Sequence, residues 1–196
     1  MQLTQKLIEK FCMNTLSATG MLYREKLYGQ MLVLLYSSID SMGLLDARPT
    51  QTSASGESFK NWVKKCLLTY PGLEYNEVDL WAARCAVLHT FTSESDLSKG
   101  GRAREVQHYS GPKDSPMAKA FVAATKTIDN GKHVHAHIED TYLAFLEALK
   151  VFPKDLLNNS GKDPAYEARL HKVLQQFALL TSNNALKSRT SFAGTG

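Results

Sequence analysis

Apolar residues recur at helical spacing along most of this chain, and segments rich in polar residues, proline and glycine separate the periodic stretches. The strongest pattern runs from Leu22 to Leu45 and predicts a long central helix. Amphipathic spacing and Ser-Pro or Asp-Pro start signals predict six more helices, over residues 2–16, 59–67, 75–91, 115–129, 139–152 and 164–180. Residues 48–57 and 93–101 are predicted loops, and Pro153 is expected to end the helix before it.

Two short segments have the alternation of apolar and polar residues that is typical of strands. Residues 103–109 and 133–138 are predicted to pair as a small antiparallel flap, with Val134, Ala136 and Ile138 facing inward. The fold class that follows is mainly α, a helical bundle with a small two-stranded β flap. Residues 1–183 are expected to form a single domain, and residues 184–196 a flexible C-terminal tail.

Composition adds an uneven charge distribution to this picture. The 196 residues carry 23 Lys or Arg against 19 Asp or Glu, a net charge of +4. Seven basic and three acidic side chains lie between Lys99 and Lys132, which indicates either an anionic partner or a solvated surface. The three cysteines are too few and too scattered for a disulfide framework, and no apolar run is long enough to cross a membrane. We therefore expect a cytoplasmic protein.

One predicted helix carries an arginine within its apolar stripe. At about 100° per residue, Arg84 falls inside the stripe that Leu80 and Val87 mark. A guanidinium keeps its charge, so it needs an acidic partner, water or a ligand anion. Asp40 is a charge amid the apolar residues of the central helix and is the expected partner, with Glu25 as the alternative.

The opposite side of the same helix carries small or apolar residues, namely Val78, Ala82, Cys85 and Ala86. Either a second copy of the chain covers that side, or the helix lies inside a bundle. Arg84 and His89 are five residues apart and point about 140° from each other on a regular helix. They converge only if the helix ends or distorts near Leu88 or if the arginine swings round. Polar residues from Thr90 onward favour an end here.

The segment Asp79-Leu-Trp-Ala-Ala-Arg-Cys-Ala-Val-Leu-His-Thr90 resembles the Arg-x4-6-His signature of the HEPN superfamily (higher eukaryotes and prokaryotes nucleotide-binding domains). The long apolar helix over residues 24–43, ahead of the motif, also suits that fold. The resemblance implies a compact helical bundle that commonly forms a homodimer, with the motifs of both chains lining a cleft. Many members are metal-independent endoribonucleases of toxin–antitoxin or phage-defence systems. This implies RNA and an antitoxin-like protein as partners, and no cofactor.

The resemblance assigns Arg84 to phosphate binding and transition-state charge, and His89 to proton transfer. Ribonucleases of this kind use the 2′-hydroxyl of RNA as nucleophile, and His with Arg supplies proton transfer and positive charge without a metal. Active members often carry a polar residue such as Asn directly after the arginine, where this chain has Cys85. The alternative is therefore a catalytically inactive HEPN-like binding or scaffold module of a defence or regulatory system.

Three alternating histidines form a second set of candidate residues. His133, His135 and His137 face the same side if the segment is a strand, as ligands of Zn²⁺ or Ni²⁺ often do. The same alternation is typical of the polar outer face of an ordinary edge strand, and we favour that interpretation. The rival function that the histidines define is a metal-dependent protein.

A third set lies in the basic stretch beside the motif. Arg102, Arg104 and His108 are candidate contacts to an RNA backbone, or else solvated charges. The sequence has no glycine-rich phosphate loop, serine-hydrolase elbow or zincin motif, so those classes of enzyme have no support.

Overall fold

A computed structural model describes residues 2–174 of the chain. Within them the fold is mainly α-helical with a small two-stranded sheet, as the sequence predicts. The helices are α1 (Gln2–Arg24), α2 (Tyr28–Asp46), α3 (Gly56–Trp62), α4 (Glu77–Thr90), α5 (Asp96–Lys99), α6 (Pro116–Thr127), α7 (Ile138–Ser160) and α8 (Pro164–Leu174), and the strands are β1 (Glu105–Tyr109) and β2 (His133–His137). The predicted tail over residues 184–196 and the predicted end of the last helix lie outside the described residues.

The first two helices are divided differently from the prediction. Instead of one helix over residues 2–16 and another over 22–45, α1 continues to Arg24 and α2 begins at Tyr28. The break is at Lys26, whose backbone has a positive φ of 57°. Both helices contribute to the same core, so the apolar periodicity continues on either side of the break and does not locate it.

The central helix of the core is α2. Its fully buried side chains are Met31, Leu35, Tyr36, Ile39 and Met42. Helices α1, α3, α4, α7 and α8 all pack against it. Gly43 allows α3 to approach closely, because a Cβ at this position would lie 2.6 Å from the carbonyl oxygen of Ser58. A charge on this enclosed helix, such as Asp40, therefore needs a partner inside the protein.

Helix α3 begins with a reciprocal cap at Ser55. The Ser55 side chain accepts a hydrogen bond from the backbone N–H of Ser58, and the Ser58 hydroxyl accepts one from the backbone N–H of Ser55. The predicted loop over residues 48–57 therefore ends at this cap. After α3 the chain makes one π-helical turn over Val63–Leu67, whose two end residues are buried in the core.

The two strands pair in parallel, with Glu105 opposite His133 and Tyr109 opposite His137. The predicted antiparallel direction is wrong. The reason is α6, which lies between the strands in the chain and packs against β2. A connection that contains a helix carries the chain back to the same end of the sheet, and two strands joined in this way run in parallel.

The sheet has one apolar face and one polar face. Val106, Val134 and Ala136 are buried on the inner face, as predicted for the second strand. The outer face carries Tyr109, and α6 covers it in part, since the ring centroids of Tyr109 and Phe121 are 5.2 Å apart. The polar residues of this face therefore lie in a seam between the sheet and α6 and are only partly open to solvent.

The turn that leads from α6 into β2 is left-handed. Asp129, Asn130 and Gly131 have consecutive positive φ angles of 52°, 54° and 81°. Two of the three are not glycine, and an L-residue in this region is disfavoured by about 1–2 kcal/mol, with Asn and Asp the most tolerant.

Helix α7 passes through Pro153, so the prediction that this proline ends the helix is wrong. Phe152 and Leu156 on either side of it are buried, and their packing outweighs the loss of one backbone hydrogen bond. Helices α1 and α7 are the longest, with 23 residues each. Neither they nor any other helix among residues 2–174 has the length and apolar character needed to cross a membrane.

A buried arginine attaches α8 to the end of α2. The Arg169 side chain donates three hydrogen bonds to backbone carbonyl oxygens, those of Leu44 and Ala47 at 2.7 Å and that of Arg48 at 2.6 Å. The carbonyl oxygens of Leu44 and Arg48 also accept backbone hydrogen bonds, from the N–H groups of Ala47 and Gln51, so the guanidinium adds a charged donor to the end of α2 and the turn after it.

Candidate functional site

The motif segment lies on α4, which is capped at its start and continuous to its end. The Asn76 side chain accepts hydrogen bonds from the backbone N–H groups of Val78 and Asp79, both at 2.9 Å. Asp79 completes the cap by accepting from the backbone N–H of Asn76 at 3.0 Å. The helix ends after Thr90. Arg84 and His89 are therefore both on regular helix.

Arg84 is half-buried and held by Asp40 of α2. Its Nε and Nη2 atoms donate to Asp40 Oδ2 at 2.9 and 2.6 Å, and the two side chains are 19% and 16% exposed. The guanidinium carbon lies 5.0 Å from the centroid of the Trp81 ring. Burial raises the pKa of Asp40, and the hydrogen bonds and charge of Arg84 oppose that rise.

The geometry leaves part of the Arg84 guanidinium available. Of the hydrogen bonds among the described residues, none uses its Nη1 atom. A guanidinium that a carboxylate and an aromatic ring hold in place, with an amino group that the carboxylate does not use, is suited to bind one oxygen of an anion.

His89 is exposed in the last turn of α4. The helix ends after Thr90, as the polar residues there predict, but His89 still lies on regular helix, so this end does not turn it toward Arg84. On continuous helix the two residues point about 140° apart, and Asp40 holds Arg84 toward α2. Within one chain the pair therefore does not form a single compact site.

The side of α4 opposite Arg84 is covered by the chain itself. Ala82 and Ala86 are each 2% exposed, and β1 and α5 both pack against the helix. This favours the bundle interior over a second copy as the cover for that side. Cys85 is half-buried at the edge of that side, next to Arg84; burial raises the pKa of its thiol, and the charge of Arg84 and a hydrogen bond from it oppose the rise.

The residue that ends the motif helix has an unusual backbone. Phe91 is in the left-handed region with φ 54° and ψ 35°, and its N–H donates to the carbonyl of Val87. Bulky residues rarely adopt this conformation. The tip of its ring lies against Gly29 at the start of α2, where a Cβ would be only 2.5 Å from Phe91 Cζ. The residue is nevertheless 60% exposed.

Two of the three basic-stretch candidates have partners within the chain. Arg104 holds the buried Asp79: its backbone N–H donates to Oδ1 at 2.8 Å, and its Nε and Nη2 donate to Oδ2 at 3.0 and 2.6 Å. His108 Nε2 lies 3.1 Å from the hydroxyl of Tyr36, and burial lowers the pKa of His108 to about 4. Arg102 is exposed.

Asp79 is a central residue that the sequence reasoning did not single out. It is 2% exposed and accepts hydrogen bonds from both the α4 cap and Arg104. The spacing of Asn76 and Asp79, three residues apart before an apolar helix, is a capping-box pattern and could have identified it.

The three histidines of β2 lie in the seam beneath α6. His137 caps α7: its Nδ1 accepts from the backbone N–H of Asp140 at 3.3 Å, and its Nε2 donates to the carbonyl of Gly111 at 2.8 Å. Carboxylate oxygens of Glu139 and Asp140 lie 3.0 and 3.3 Å from its ring nitrogens. Burial lowers the pKa of His135.

A cavity of about 90 Å³ opens beside this cluster, between the sheet and the loop before α4. Its lining includes Tyr109, Lys113, His135, His137 and Asp140. Lys113 is already paired with Asp140 at 2.8 Å. Among the described residues, no three His, Cys, Asp or Glu side chains are arranged to hold a metal ion.

Comparisons of the chain with family models, with curated proteins and with solved structures found no match. The HEPN resemblance is therefore a prediction that depends on residues 79–90.

Proposed function

We propose that this chain is a HEPN-like protein that acts on RNA, a metal-independent endoribonuclease with Arg84 and His89 in its cleft. The observation that supports it best is the environment of Arg84, which is half-buried, oriented by Asp40 and left with one amino group to donate. Fixed positive charge of this kind stabilises a phosphate in a transition state without reorganisation.

The reaction needs one proton acceptor and one proton donor at the scissile phosphate. His89 takes the proton of the 2′-hydroxyl as the 2′-oxygen bonds to phosphorus, and the bond from phosphorus to the 5′-oxygen breaks. The leaving 5′-oxygen takes a proton from a water molecule, and the His89 imidazolium returns its proton to the hydroxide so formed. The products are a 2′,3′-cyclic phosphate and a 5′-hydroxyl, while Arg84 balances the charge on the non-bridging oxygens.

A homodimer supplies what one chain lacks. Because Arg84 and His89 diverge on α4, we infer that Arg84 of one copy and His89 of another face the same phosphate. Arg102, which is exposed, is the remaining candidate for a contact to the RNA backbone. An antitoxin-like protein that covers the cleft is the class of protein partner that the resemblance implies.

A catalytically inactive module with the same fold is the second candidate. Two observations favour it: Arg84 already has a carboxylate partner, and Cys85 stands where active members often have a polar residue. In this form the chain binds RNA or a protein and cleaves nothing.

The test is cleavage of end-labelled single-stranded RNA in the presence of EDTA. We expect wild type to leave cyclic-phosphate ends and to spare the same sequence made with 2′-O-methyl groups. Arg84→Lys and His89→Gln should each lower the rate at least about 100-fold, with Lys10→Gln, an exposed change on α1, as the control.

Mixing the two inactive variants tests the shared site. A mixed dimer contains one site with both Arg84 and His89 if the residues act across the interface, so activity returns. Binding without cleavage by wild type supports the inactive module. If wild type neither binds nor cleaves RNA, the nuclease and the RNA-binding module are both refuted.

A further inference from the structure

Phe91 presents an aromatic ring to solvent at the end of the motif helix, two residues after His89. Its backbone is in the left-handed region that glycine or asparagine usually occupies at a helix end. Among the described residues, no other aromatic ring packs against it, although most of the buried rings pack in pairs. The ring is therefore held in a costly conformation without a core contact that explains it.

Gly29 leaves room for this ring. The ring tip lies against Gly29, where a Cβ would be 2.5 Å from Phe91 Cζ. Contact at the tip leaves the ring largely uncovered, in agreement with the 60% exposure of the residue. The exposed ring of α4 therefore lies beside the start of α2.

The turn between α1 and α2 adds positive charge near this surface. Lys26 is three residues from Gly29, and the turn residues Arg24, Glu25 and Lys26 are exposed and carry a net charge of +1. None of them forms an ion pair with another described residue. An aromatic ring combined with unpaired cations is what proteins use to hold single-stranded nucleic acid, since bases stack and phosphates pair with the cations.

We propose that Phe91 is a stacking platform for an unpaired nucleobase next to the scissile phosphate, with Lys26 contacting the adjoining backbone. The proposal rests on RNA being the ligand. It selects single-stranded RNA, because the faces of bases in a duplex are already covered. Leu27, which is 46% exposed nearby, would also suit an apolar contact with a second copy. Such a contact needs only apolar area, whereas stacking needs a planar aromatic ring, and the experiment below separates the two.

The experiment compares two side chains at position 91. Trp keeps a planar ring, whereas Leu is apolar but not planar. The probe is a fluorescein-labelled 2′-O-methyl RNA strand of about 12 nucleotides, which wild type cannot cleave, and the same strand annealed to its complement. We expect Phe91→Trp to bind the single strand at least as tightly as wild type. Phe91→Leu should bind it about 10-fold more weakly, within the range for loss of one stacked base. Lys26→Gln should weaken binding and reduce its dependence on salt.

The controls separate the possible failures. Affinity for the duplex should be low and equal for all variants, and thermal unfolding should show that Phe91→Leu is folded. If wild type and Phe91→Leu bind the single strand equally, the platform is refuted while the nuclease proposal stands. A second outcome also refutes the platform. If Phe91→Leu binds the single strand as wild type does, and Phe91→Ser changes only the dimer population in sedimentation equilibrium, position 91 is a subunit contact. No binding by wild type refutes both proposals.

Discussion

The buried pair of Tyr36 and His108 should make the folded protein sensitive to mild acid. Burial lowers the pKa of the half-buried His108 from 6.5 to about 4, and among the described residues the Tyr36 hydroxyl is the one hydrogen-bond partner of its ring. Between these two values the unfolded chain binds a proton that the folded chain does not. The free energy of unfolding therefore falls as the pH decreases from about 6.5 to about 4. At about 1.4 kcal/mol per pKa unit, the His108 contribution is about 3 kcal/mol.

Urea unfolding followed by circular dichroism, at about pH 7 and about pH 4.5, measures this contribution. His108→Gln can keep a hydrogen bond to Tyr36 but has no charge to gain, so its free energy of unfolding should fall by about 2 to 3 kcal/mol less than that of wild type. His89→Gln replaces an exposed histidine and should keep the wild-type dependence. Equal losses in wild type and His108→Gln would show that His108 is not enclosed.

Three further substitutions test the packing around the site. Arg169→Met should lower the free energy of unfolding in urea by about 2–4 kcal/mol, since it removes three charge-assisted hydrogen bonds that attach α8 to the end of α2; a loss below about 0.5 kcal/mol would contradict this role. Asp79→Ala should cost about 2–4 kcal/mol, because Arg104 and the α4 cap both lose their acceptor, and an unchanged melting temperature would argue against it. Asn130→Gly should raise stability by up to about 1 kcal/mol, because glycine adopts φ 54° without strain; a lower melting temperature than wild type would count against the left-handed turn.

The sequence was informative where periodicity and caps agree. The apolar spacing over residues 75–91 predicts α4 closely, and Ser115 with Pro116 predicts the start of α6. It was less informative where tertiary packing decides. Lys26 has a positive φ although it is not a glycine, so the residue type does not indicate the break between α1 and α2. Helix α7 continues through Pro153 because the surrounding residues are buried. The parallel direction of the strands could have been inferred, since a predicted helix already separated them.

The candidate site was harder to predict than the fold. That Arg84 needs a partner follows from its position in an apolar stripe, and the structure pairs it with Asp40 rather than Glu25. Whether His89 approaches it depends on where the helix ends, which sequence patterns locate poorly. Exposure at Phe91 depends on Gly29, a contact between residues far apart in the chain that no local pattern encodes.

The position of α8 bears on the order in which the chain can fold during synthesis. Arg169 satisfies carbonyls at the end of α2, and Glu167 accepts a hydrogen bond from Thr4 of α1 at 2.8 Å. Both partners are translated long before α8, so the first helices leave the ribosome without the contacts that complete them. Asp40 and Arg84 can pair earlier, since both precede α5. The Asp40–Arg84 pair can therefore form in the nascent chain before α8 covers its part of α1 and α2. A chaperone or a partner protein would meet the chain with that surface exposed.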